Sequence, residues 1–188
     1  MSRWQPDARG RLERAAMDLY TERGFDQTTV AEIAERAGLT ERTFFRYFAD
    51  KREVVFWGQG LLMELVTKHI ADAPDSASPI DAVGAGLQAT GEMFHGRREH
   101  AQQRQAVIDA NPGLQERELI KLASLAAAIA ECLGRRGVAE PAAKLTAETG
   151  VAVFKVAFDR WISAARDTDL SHLVSDSLDE LKALTAGG

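Results

Sequence analysis

Apolar residues recur at spacings of three and four along almost all of this 188-residue chain, a period that fits one face of a helix and not a strand. Leu12, Ala15, Ala16, Leu19 and Tyr20 show it first, all falling on one helical face. No run alternates apolar and polar residues between hairpin turns, so the expected fold class is all-α.

Caps and breakers divide the chain into nine expected helices. Pro6 and Asp7 open the first, and Gly24 stands where a left-handed C-terminal cap closes it. Thr29 with Glu32 forms a capping box for a short second helix, whose inward residues are Val30, Ile33, Ala34 and Ala37 and whose stop is Gly38. Thr40 caps the third helix. Asp50 with Glu53 forms another box and opens a fourth helix running to about Asp72. After a turn-rich loop over residues 73–78, Ser78 and Pro79 start a fifth helix that reaches about Phe94. A charged sixth helix follows Gly96 and ends before Asn111. The seventh covers residues 114–136 and stops at Gly137, the eighth runs from Pro141 to about Asp167, and Ser171 caps the ninth, which ends near Leu184. Gly84, Gly86 and Gly91 lie inside the fifth helix, each costing about 1 kcal/mol against alanine. Close packing against a neighbouring helix accounts for them.

The formal net charge of -5 argues against a nucleic-acid partner only if it is spread evenly. It is not. Residues 1–57 hold ten Lys/Arg and ten Asp/Glu, so the whole deficit lies in the remainder, 13 cations against 18 anions. Residues 40–52 carry four cations, Arg42, Arg46, Lys51 and Arg52, against Glu41 and Asp50. The single cysteine, Cys132, cannot form an internal disulfide and reads as a small core residue. No apolar run approaches the roughly 20 residues a membrane span needs, and the N-terminus has no signal-peptide pattern, so no membrane association and a cytoplasmic location are expected.

The densest stretch is TVAEIAERAGLTERTFFRYFADKREVV, from Thr29 to Val55. Two short helices joined by a Gly-containing turn, with a third packed across them, make a helix-turn-helix. Ala34 and Ala37 are small where helices cross, Gly38 suits a left-handed turn and Leu39 plugs the core below it. Phe44 and Phe48 put an aromatic stripe on the inward face of the second helix. Its outer face then carries Glu41, Arg42, Thr43, Phe45, Arg46 and Tyr47, side chains able to address a major groove.

The segment from Ala8 to Trp57, with LERAAMDLYTERGF, TTV, AGLT and the Phe-x-x-Lys exit in order, resembles the DNA-binding domain of the TetR family of transcriptional repressors. The resemblance implies a DNA-binding domain at 1–50 and a ligand-binding and dimerisation domain at 51–188. It also implies roles for single residues. Thr29 would hold a backbone phosphate with its hydroxyl and amide at a helix N-terminus, assisted by Thr28, with Thr40 capping the reading helix. Arg42, Thr43 and Arg46 would address base edges, Phe45 a thymine methyl, and Tyr47 and Lys51 phosphates. Phe45 stands where the family usually has tyrosine, and Tyr47 where it often has histidine. Glu41 accepts from a cytosine amino group or serves the helix dipole. Arg3, Arg9 and Arg11 reach a phosphate or minor groove or are solvated; Arg36 and Arg52 read as surface charge.

A short reading helix makes few contacts, and a two-fold dimer matches a pseudo-palindromic double-stranded operator. The resemblance places the homodimer on the last two helices, through Val151, Phe154, Phe158, Trp161, Ile162, Leu170, Leu173, Val174, Leu178, Leu181 and Leu184. It also implies a small-molecule effector bound in the second domain, where Trp57, Leu61, Met63, Met93, Phe94, Phe154, Phe158 and Trp161 are the candidate apolar lining, although each fits a plain core equally. No enzyme is expected. His95 and His100 are five apart rather than four, no HExxH or cysteine pair occurs, and GAGLQATG lacks dinucleotide spacing, so neither metal nor cofactor is expected. The competing readings are a DNA-binding regulator without an effector and a helical protein-interaction scaffold.

Overall fold

The computed structural model describes residues 7–165 and 168–186; Arg3, Pro6 and Asp167 lie outside them. The described chain is all-α: α1 (Ala8–Arg23), α2 (Val30–Arg36), α3 (Glu41–Tyr47), α4 (Lys51–Phe56), α5 (Gln59–Asp72), α6 (Pro79–Gln88), α7 (Thr90–Phe94), α8 (Arg98–Asp109), α9 (Pro112–Arg135), α10 (Glu140–Ser163) and α11 (Leu170–Ala186). Only Trp57 and Gly58 separate α4 from α5, and only Ala89 separates α6 from α7. Counting each pair as one stretch gives the nine helices read from the sequence.

A side-chain hydrogen bond to a main-chain carbonyl stands at each interruption. The Val55 carbonyl, at the end of α4, accepts from Arg104 Nε at 2.8 Å. The buried Thr90 hydroxyl donates to the Leu87 carbonyl at 2.6 Å where α6 meets α7. At the other ends, α10 stops at Ser163, before the expected limit. The carboxylate that caps α11 is Asp169, whose Oδ1 accepts from the Ser171 amide at 2.8 Å, so Ser171 sits inside the first turn.

The chain forms two compact units. The first joins the residues up to Trp57 with Gln102–Glu118, and the second joins Gly58–Ala101 with the residues from Leu119 onward. The sequence-based boundary at 50/51 therefore falls inside the first unit. Val54, Val55 and Phe56 of α4 are buried in that unit's core beside Leu12, Leu19, Ile33 and Phe44. Val107, Ile108 and Leu114, from the α8–α9 corner, complete the same core.

The second unit packs α5, α6, α10 and α11 around Val66, Ile70, Val83, Leu87, Ala157 and Val174. Its glycines mark close approaches, as expected. A Cβ on Gly86 would lie 2.8 Å from the Val66 backbone oxygen, one on Gly84 2.5 Å from Leu178 Cδ2, and one on Gly91 2.9 Å from Ser171 Cβ. The backbone at Val66 cannot rotate aside, so α5 and α6 can cross this closely only over glycine.

Candidate nucleic-acid interface

The reading helix α3 is held from beneath. Phe44 is fully buried and Phe48 nearly so, with ring centroids 5.4 Å apart. Thr40 caps the helix, its hydroxyl accepting from the Thr43 amide at 3.2 Å. Gly38 turns the chain between α2 and α3 at φ +64. A Cβ there would also meet Arg11 Nη2 at 2.9 Å, because the Arg11 guanidinium donates to the carbonyls of Ala37 and Gly38. Arg11 thus closes the C-terminal end of α2, where carbonyls lack amide partners. That settles its open assignment in favour of an internal bond.

Anchored this way, α3 exposes Glu41, Arg42, Phe45 and Arg46 and half-exposes Thr43 and Tyr47. Phe45 is 55% exposed, large for an aromatic side chain. It borders a groove of about 670 Å³ whose walls also include Thr29, Val30, Lys51 and Pro112. Arg46 does not extend straight outward: Nη2 donates to Tyr47 Oη at 3.2 Å, and the guanidinium lies 4.9 Å from the Tyr47 ring centre. Arg9 covers the same ring at 5.6 Å and Trp57 at 5.4 Å.

Three residues expected at phosphates make internal hydrogen bonds. Thr28 is buried, and its hydroxyl donates to the Gly24 carbonyl at 2.9 Å. Thr29 is exposed at the α2 N-terminus, but its amide and hydroxyl both donate to Glu32 Oε2 at 2.8 Å in a complete capping box. These bonds, with Arg23 adding its charge, hold the Glu32 carboxyl below its ordinary range. Lys51 Nζ donates to the carbonyls of Phe25 at 2.8 Å, Thr28 at 2.8 Å and Asp26 at 3.3 Å, and lies 4.5 Å above the Phe25 ring. All three ammonium protons are thereby directed into the α1–α2 loop. The Lys51 carbonyl in turn accepts from Tyr20 Oη at 2.7 Å, and burial, aided by the Asp50 charge, pushes the Tyr20 phenol well up.

Sequence reasoning missed the supports that come from outside the helix-turn-helix. Arg104 of α8 reaches Val55, faces Glu118 at 3.4 Å and covers the Phe56 ring at 5.2 Å. Burial pulls its guanidinium down and Glu118 opposes that shift. Arg117 of α9 donates Nε to Glu53 at 2.8 Å, so the Glu53 carboxylate serves an ion pair across helices, while at the α4 start Asp50 Oδ1 accepts from the Arg52 and Glu53 amides. No local pattern marks either arginine, because both partners lie far away in the chain. Arg36 and Arg52 pair with Glu22 and Asp50 as surface charges.

In the second unit, Phe94, Phe154, Phe158 and Trp161 converge, with ring centroids 5.4–5.9 Å apart along Phe94–Phe158, Phe94–Trp161 and Phe154–Phe158. Met63 and Met93 are half-buried against this core. Trp57 belongs to the other core, under Arg9, and Leu61 is 51% exposed; neither joins the aromatic cluster. The dimer candidates also divide. Val151, Phe154, Trp161, Leu170, Leu173, Val174 and Leu178 are buried in their own subunit, and Phe158, Ile162 and Leu181 are packed half-buried against that core. Their stripe faces inward. The large apolar side chains left outside on these helices are Leu145 at 71%, Val156 at 51% and Leu184 at 81% exposure.

No helix among the described residues is long and apolar enough to cross a membrane, and no metal-competent cluster of His, Cys, Asp and Glu occurs among them. Residues 13–56 match the family of bacterial regulatory proteins of the tetR type, and residues 77–186 match the MftR C-terminal domain. The transcriptional regulator TcmR of Streptomyces glaucescens is 29% identical over 93% of this chain and 82% of its own length. The regulator MftR of Mycobacterium tuberculosis is 28% identical over 85% and 81%. Among solved structures, the TetR-family repressor FadR of Thermus thermophilus, in complex with lauroyl-CoA, is 25% identical, covers 93% of both chains and superposes with a TM-score of 0.55. The chain belongs to the TetR family, which makes it a transcriptional regulator rather than an enzyme.

Proposed function

We propose that the chain is a cytoplasmic repressor that binds a pseudo-palindromic operator as a homodimer and leaves it when a small, largely apolar effector binds the second unit. The observation that carries the DNA reading is the outer face of α3. Arg42 is exposed there with no carboxylate or hydrogen-bond partner among the described residues, next to Thr43 and Glu41 and above the fixed Phe44. A free guanidinium on a short rigid helix can pair with the two acceptors of guanine in a major groove. Thr43 and Phe45 add a hydroxyl and an apolar face for neighbouring bases, and Thr29, Thr40 and Tyr47 flank them.

The effector reading rests on the aromatic cluster of Phe94, Phe154, Phe158 and Trp161, together with the acyl-CoA bound by the Thermus thermophilus relative. Such a ligand acts by binding the non-DNA form more tightly. The dimer face is reassigned to the exposed side of α10, where Leu145, Thr149, Ala152 and Val156 recur at helical spacing. The deciding experiment selects duplexes from a random pool with the purified chain and then challenges the complex with long-chain acyl thioesters. A two-fold symmetric consensus released by such a compound is the expected result. An asymmetric or absent consensus overturns the operator reading, and a symmetric one that no apolar compound releases leaves a regulator without this class of effector.

A further inference from the structure

We propose that Arg9, Tyr47 and Arg46 form a clamp for the backbone phosphodiesters of DNA at the flank of α3, an inference that rests on the DNA-binding reading. The Tyr47 ring carries two guanidiniums, Arg46 at 4.9 Å and Arg9 at 5.6 Å, and their carbons are no farther apart than the sum of those distances. Three elements supply the parts: Arg9 stands in the first turn of α1, Arg46 and Tyr47 end α3, and Trp57 follows α4 and backs Arg9 at 5.4 Å. The core shared by α1, α3 and α4 therefore sets the spacing.

Charge sorting gives the cluster its meaning. Residues 1–57 are neutral overall, yet their arginines are not paired evenly. Arg14, Arg23, Arg36 and Arg52 lie within ion-pair reach of Asp7, Glu32, Glu22 and Asp50. Arg11 also lacks a carboxylate but donates to the Ala37 and Gly38 carbonyls; the others without one among the described residues, Arg9, Arg42 and Arg46, all gather on α3 or over its last side chain. Two like charges held on one ring repel each other unless an anion joins them. Stacking uses the face of a guanidinium and leaves its in-plane N–H donors for another acceptor. A phosphate accepts from such donors, and prior stacking limits the side-chain freedom lost when it does. Arg46, expected at a base edge, is thereby assigned to the backbone.

The test measures affinity for the selected operator and for a random duplex between 50 and 200 mM salt, in the full chain and in R9Q, R46Q, R9K and Y47A. Each charge removal should flatten the plot of log affinity against log salt by about 0.9. The wild-type advantage then shrinks about three- to fourfold across that range, equally on both duplexes. R9K should keep the slope, and R9Q should cost less in Y47A than in the wild type because the shared platform is gone. If the wild type shows a steep slope that R9Q leaves unchanged, the clamp is wrong while the DNA reading stands. Loss confined to the operator in R46Q also overturns it, placing Arg46 on a base. Should R9Q melt early, R46Q decides: a slope flattened by about 0.9 on both duplexes supports the clamp and an unchanged one overturns it. A wild type without salt-dependent duplex binding brings down the DNA reading itself.

Discussion

Replacing Lys51 with methionine separates two roles that the sequence alone merges. A phosphate-binding lysine and a loop-fastening lysine occupy the same position after the Phe-x-x-Lys turn, but they respond differently to salt and heat. In the structure the ammonium holds two carbonyls at 2.8 Å and a third at 3.3 Å over the Phe25 ring. Hydrogen bonds to a charged group contribute about 1.5–3 kcal/mol each, and a partly exposed cation over an aromatic ring about 0.5–1 kcal/mol. The Asp26 carbonyl lies at an exposed residue and regains water, so the two short bonds dominate. These contacts sum to about 3.5–7 kcal/mol, but the bonds are only part-buried and water recovers about half of that, so with the stem contacts kept by methionine the net loss is about 2–4 kcal/mol. At about 2–4 °C per kcal/mol for a chain of this size, the first thermal transition should fall by roughly 4–16 °C. Operator and random duplex should both bind more weakly because the α1–α2 loop and Thr29 lose their fastening, while the salt slope stays at the wild-type value. An unmoved melting curve with a slope flattened by about 0.9 would refute this and return Lys51 to the phosphates.

Three further outcomes follow from the same geometry. Arg42→Ala should cost about 1–3 kcal/mol on the cognate operator and relax one base preference, read by comparing operator variants; equal loss on random DNA would remove it from base readout. Val156→Glu should weaken self-association roughly a hundredfold, since burying an unpaired acid at a two-fold face costs about 3 kcal/mol. Sedimentation across a concentration series reads this, and an unchanged dimer would place the interface elsewhere. Glu32, held acidic by the Thr29 amide and hydroxyl and by Arg23, has a folded-state value below its usual 4.5. Its contribution is therefore full above that value and is lost as pH falls through the lowered one. Acid titration of melting should show a loss near and below pH 4.5 that Glu32→Gln removes; an identical curve in the variant would contradict the capping assignment.

What the sequence disclosed and what it hid divide along range. The three-residue bonds of Thr29 with Glu32, Thr40 with Thr43 and Ser78 with Asp81 are visible as local patterns, and they set the helix starts. So does Gly38, whose left-handed turn no side chain easily takes. The inward stripe of Phe44 and Phe48 follows from a period of four. What it hid concerns side chains whose partners are distant in the chain. Lys51 is a cation near a reading helix until Phe25 and Thr28 fold back to meet it. Arg104 finds Val55 from 49 positions away, and Trp57 belongs to whichever core the corner at residues 107–114 helps to close.

The dimer residues show the same limit in a sharper form. A helix such as α10 carries two apolar stripes, and periodicity identifies both without saying which faces its own subunit. Phe154, Ala157 and Trp161 are larger or more closely spaced than Leu145, Ala152 and Val156, so the stronger stripe reads first and is assigned to the partner. Within one subunit that stripe is packed in the core. A subunit must bury its larger stripe to fold at all, because hydrophobic burial within the chain offsets the conformational entropy that folding costs. In the proposed homodimer the weaker stripe is what remains for a second copy, and its smaller side chains would permit closer approach of helices across a two-fold axis.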